Sequence, residues 1–70
     1  MGHLLAKTII VNRVIELIEK EYKLTHAEAS MKLLESEVLD LVDDDETGLY
    51  GESPLYVFSI FEQYEQKKKD

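Results

Sequence analysis

The sequence predicts an all-α domain, a small bundle of three to four helices. Three observations carry that expectation. Apolar residues recur at helical spacing from Leu4 to Tyr22, Thr25 and Glu28 form a helix-start signature, and Ser53 with Pro54 opens a further helix ahead of an aromatic-rich run.

The first helix is expected over 4–23. Leu4, Val11, Ile15, Ile18 and Tyr22 share one face, and Ile10, Val14 and Leu17 widen it. Asn12, Glu16, Glu19, Lys20 and Lys23 fill the other side, which is the pattern of an amphipathic helix. The β-branched run from Thr8 to Val11 favours a strand locally, but the length and the spacing after it favour a helix. Its first few residues are expected to fray.

In "LTHAEAS" the Thr25 hydroxyl can accept from an orphan amide while the Glu28 carboxylate reaches back to Thr25, a capping box that starts a second helix at His26. Ala27, Met31, Leu34, Val38 and Leu41 then lie on one face, with Leu33 and Val42 alongside. Periodicity alone would carry this helix to Val42. The carboxylates of Glu35 and of Glu37 to Asp40 oppose the helix dipole, so a break is expected near Ser36. The result is a helix over 26–36 and a short one over 37–42, either continuous with it or separate.

Ser53 as N-cap and Pro54 at the first helical position, where its missing amide costs nothing, start the last helix, expected over 54–66. Leu55, Tyr56, Val57, Phe58, Ile60, Phe61 and Tyr64 make it apolar around most of its circumference. Such a helix is expected at the centre of the bundle or shared with a partner. The lysines after it suit its C-terminal dipole.

A chain of 70 residues makes one small domain, residues 1–70, whose core is near the lower limit of self-sufficiency, so oligomerisation is a live option. Without cysteine there is no disulfide, thiolate metal site or thiol nucleophile. No apolar run reaches the roughly 20 residues of a membrane span, and the N-terminus lacks a secretory signal pattern, so a cytoplasmic location is expected and no membrane.

The net charge of -7 is unevenly placed: residues 1–32 sum to +1, residues 33–66 to -10 with no Lys or Arg, and the tail to +2. Nucleic-acid binding needs cations that displace condensed counterions. Here they stand only at the edges, with Lys20, Lys23 and Lys32 the candidates, and the distribution argues against DNA or RNA.

The segment "VDDDETGLYGESP", residues 42–54, concentrates acidic residues and both turn glycines. Set on the calcium-loop template it places Asp43 at the first position, Asp45 at the third, Thr47 at the fifth, Gly48 at the sixth and Tyr50 at the eighth. Gly51 falls on the ninth, and the twelfth, which should bring a bidentate carboxylate, is Pro54. Asp43, Asp45 and Thr47 are thus the candidate metal ligands of an incomplete loop. The competing expectation is a solvated acidic turn in which the glycines allow positive φ.

Glu35, Asp40 and the run from Asp43 to Glu46 have no apolar bracket to raise one carboxyl pKa for acid–base catalysis. His3 and His26 lack ligand spacing and are expected at a mobile end and on the surface. No Ser-His-Asp order or phosphate-binding glycine loop is present, so neither catalytic residues nor a cofactor are expected. Five of the six aromatic residues lie between Tyr50 and Tyr64. Tyr56, Phe58, Phe61 and Tyr64 are therefore candidates for an interface as well as for the core.

The order of "IEKEYKLT", "LTHAEASMKLL", "VLDLV" and a last helix after an acidic turn resembles a small, uncharacterised, all-helical bacterial domain family. Leu24, Thr25, Glu28 and Ala29 match its L-[ST]-x-x-E-A motif, and Val38 with Leu41 its short apolar segment. "TGLYGESP" stands where that family has a histidine-threonine pair. Members occur beside toxin-like genes, so the resemblance implies a regulatory or partner-binding role.

The expected function is a non-catalytic protein–protein interaction or regulatory module, in its simplest form a homodimer through the last helix. A divalent-cation-binding protein using the 43–52 loop is the alternative.

Overall fold

The computed structural model describes residues 3–69, with side chains through Lys67. Four α-helices appear in chain order: α1 (Leu4–Tyr22), α2 (His26–Leu34), α3 (Glu37–Asp43) and α4 (Pro54–Lys69), with a 3₁₀ turn at Leu49–Gly51 before α4. The radius of gyration is 11.5 Å, close to the roughly 11 Å expected of a packed chain of this length.

α1 is the centre of the bundle, in contact with α2, α3, α4 and the 3₁₀ turn. It buries Ile10, Val14, Ile15 and Ile18. Of the two places expected for the last helix, central or shared with a partner, the central one belongs to α1. α4 has a definite buried side, Val57, Phe58 and Phe61, and an exposed one that includes Leu55 and Tyr56.

The end of α1 is set by Lys23, which adopts φ 56° and ψ 48° while the Leu24 N–H donates to the Glu19 carbonyl at 3.1 Å. This left-handed C-terminal cap usually takes glycine, because a Cβ disfavours it. It turns the chain directly into Thr25, whose capping box is complete: the Glu28 N–H donates to Thr25 Oγ1 at 3.2 Å, and the Thr25 N–H to Glu28 Oε1 at 3.0 Å.

The break at Ser36 is present. Its cause is a fresh helix start: buried Ser36 is the N-cap of α3, and its hydroxyl accepts from the Val38 N–H at 3.2 Å. Ser53 opens α4 similarly, accepting from the Tyr56 N–H at 3.2 Å. α4 continues to Lys69, one turn past the expected end at Gln66.

The break also changes which face of α2 is buried. α2 buries Ala29 and Leu33, whereas Met31 is 56% and Leu34 63% exposed. The stripe expected to run from Ala27 to Leu41 is thereby divided, because its phase assumed one continuous helix. Once Ser36 restarts the winding, α3 buries Val38 and Val42 and α2 is free to turn its small Ala29 inward. Close approach of helices favours that small residue.

Candidate interaction surface

The acidic segment is closed by a cation from the protein itself. Lys7 Nζ, one turn into α1, donates to the Asp43 carbonyl at 2.7 Å and pairs with Asp45 Oδ1 at 2.6 Å and Asp43 Oδ1 at 3.8 Å. The ammonium also lies 5.8 Å from the centre of the Tyr50 ring, and His3 stacks on that ring at 4.3 Å. His3 and the start of α1, expected to be loose, are thus fastened to the 3₁₀ turn. The hydrogen bond to Asp45 and its charge hold the Lys7 amine above the ordinary lysine value, and the Asp45 carboxyl is correspondingly lowered.

Two further side chains, Asp44 and Thr47, bond to nearby backbone. The Thr47 hydroxyl lies against the carbonyls of Leu41 and Asp44, 2.9 Å from the latter, and accepts from the Leu49 N–H at 3.2 Å. Asp44 Oδ1 accepts from the Glu46 N–H at 2.9 Å. Gly48, at φ 67°, supplies the left-handed turn into the 3₁₀ segment. Of the candidate ligands, Asp43 and Asp45 share Lys7 and Thr47 closes the end of α3. Among the described residues no group of three or more His, Asp or Glu side chains is placed to hold a metal ion.

The aromatic candidates separate. Phe61 is fully buried, stacked on buried Phe58 at 6.1 Å and edge-on to Tyr22 at 6.2 Å. Phe58 and Phe61 are core residues, a correction to their candidacy for an interface: they lie on the side of α4 that closes over α1 and α3. Tyr64 is partly buried against the same core, with Lys67 Nζ 5.7 Å from its ring centre. Tyr56 alone of the four is exposed.

Two further polar contacts tie α2 to its neighbours. Lys32 Nζ meets Glu65 Oε1 at 2.8 Å and lies 5.4 Å from the Tyr22 ring centre. Glu65 is among the buried residues, and its hydrogen bond and charge raise the Lys32 amine. Burial, with Glu62 and Glu65 near, raises the Tyr22 hydroxyl. His26 Nδ1 stands 2.8 Å from Glu19 Oε2. Of the lysines weighed for nucleic acid, Lys32 is half-buried and paired with Glu65, and Lys20 and Lys23 are exposed.

Large apolar side chains are exposed in three places: Leu4, Leu5 and Ile9 at the start of α1, Leu55 and Tyr56 at the start of α4, and Met31 and Leu34 on the outer side of α2. Ala27, Met31 and Leu34, spaced i, i+4 and i+7, are all exposed, so they form one stripe on the solvent side. Leu24, Ala27, Glu28, Met31, Lys32 and Glu35 line an open trough of about 420 Å³ beside it. The sequence holds this signal as part of the longer stripe from Ala27 to Leu41. A second cleft, about 320 Å³, lies where the start of α4 meets the middle of α1, with Leu17 and Leu55 beside Arg13, Glu16 and Lys20. Arg13 there pairs with Glu16 at 3.8 Å.

These features define a small all-α bundle whose distinguishing surfaces are apolar and acidic. No family model, curated protein or solved structure matches the chain. No described helix is long and apolar enough to cross a membrane.

Proposed function

We propose that the chain is a non-catalytic, cytoplasmic module that works by binding another protein through the outer face of α2. The observation that carries this reading is the exposure of Met31 and Leu34 on one stripe. Large apolar side chains grouped on one face of so small a protein are poorly accounted for by folding alone, and grouped exposure of this kind marks contact sites. The resemblance to a helical family found beside toxin-like genes is consistent with a regulatory version of that role. The cation-binding alternative has no observation in its favour, because Lys7 already provides the positive charge between Asp43 and Asp45.

The test is purification of the chain from its native host beside the variant Met31→Asp/Leu34→Asp, followed by rebinding of each co-purifying protein from separately purified components. The reading expects a partner that rebinds the wild type saturably and is lost with the variant. It is overturned if no partner rebinds, or if every partner binds the variant equally well.

A further inference from the structure

We infer that the occupant of the α2 face is a basic amphipathic helix of a different protein, an inference that rests on the contact reading above. The stripe presents apolar positions at i, i+4 and i+7, the spacing by which one helix face packs on another, and the open trough of Leu24, Ala27 and Met31 lies beside it. From Ala27 to Leu34 the stripe runs about 10 Å, at 1.5 Å per residue. That is two turns of helix, the length over which a single crossing segment makes contact.

The charge beside the stripe selects the sign of the occupant. Glu28 and Glu35 line the trough, and Lys32 has its ammonium drawn to Glu65 at 2.8 Å. With Lys32 counted, the lining of the trough still sums to a net charge of -1, from Glu28, Glu35 and Lys32. A second copy would bring the same Glu28 and Glu35, together with a further net charge of -7, to the contact. A segment with apolar anchors on one side and Lys or Arg beside them meets both requirements, and the complementary charge raises its rate of encounter. Met31, unbranched and polarisable, adapts to anchors of different shape.

The experiment uses the full chain and a fluorescent Leu/Lys peptide of roughly 18 residues with its leucines on one helical stripe. Two controls accompany it: the same composition scrambled, and a Leu/Glu version. Anisotropy titration is expected to give saturable binding of the Leu/Lys peptide only, weakened by added salt. Met31→Asp/Leu34→Asp should weaken it roughly tenfold or more, the loss of apolar contacts outweighing the added negative charge. That direction is diagnostic, since purely electrostatic attraction would strengthen with two new carboxylates. Glu28→Gln/Glu35→Gln should also weaken binding, with circular dichroism showing the helices intact in both variants.

Equal binding of the scrambled peptide, or tighter binding by the Met31→Asp/Leu34→Asp variant, would overturn the inference. So would a sedimentation dimer of the wild type that this variant dissociates, which would make a second copy the occupant. A host partner that is lost with the variant while the Leu/Lys peptide fails to bind would leave the contact reading standing and remove the basic helix.

Discussion

Lys7 decides the character of the acidic segment at the level of single residues. Template spacing alone aligns Asp43, Asp45 and Gly48 with a calcium loop. The partner that meets the carboxylates lies 36 residues away along the chain, and no local pattern in the sequence indicates so distant a pairing. Charge does predict that these acids need a counterion, but not that the counterion is an internal ammonium. The lowered Asp45 carboxyl gives the pairing a pH signature. A carboxyl whose value falls on folding adds stability that is present above the ordinary aspartate range, about 3.9, and is lost as pH drops through the lower folded value. Acid unfolding should therefore begin to erode the wild type below about pH 4, and Asp45→Asn should start less stable at neutral pH and lose less on acidification. Melting curves between neutral pH and acid check this; parallel decline of the two proteins would refute the pairing.

Individual elements were legible where the signal is local. The capping box at Thr25, the serine-proline start at Ser53 and the break at Ser36 each depend on side chains bonding to amides two or three residues away, so neighbouring letters carry the information. The αL cap at Lys23 was hidden because lysine gives no sign of it where glycine would. The buried face of α2 was misplaced because helical phase does not survive a restart at Ser36, and whether Ala29 or Met31 turns inward depends on α1. The link between α2 and α4 is also tertiary, the ion pair of Lys32 and Glu65. Lys32→Met should cost about 1 kcal/mol by removing the ion pair with Glu65, and Lys32→Met/Glu65→Met should recover part of that loss. Lys32, raised on folding, adds stability that is full below the ordinary lysine value, about 10.4, and declines as pH rises through the higher folded one. Denaturant unfolding of the three proteins, repeated in alkali, measures both effects. A double variant no more stable than the single one would contradict the pairing.

For the whole molecule, a core built around α1 and closed by Phe58 and Phe61 removes both phenylalanines of α4 from any contact surface. It leaves α2 presenting Met31 and Leu34 outward beside Glu28 and Glu35. The all-α class and the order of the helices could be read from spacing, whereas the outward face could not, since it is what remains after the other helices have chosen their contacts. The account stands on the orientation of α2, and unfolding stability measures it most directly. Met31→Asp/Leu34→Asp should lose no more than about 1 kcal/mol per substitution, from helix propensity and the dipole at the end of α2, while Leu33→Ala should lose about 2–5 kcal/mol. The contradictory result is the reverse: Met31→Asp/Leu34→Asp unfolding the chain while Leu33→Ala leaves it intact.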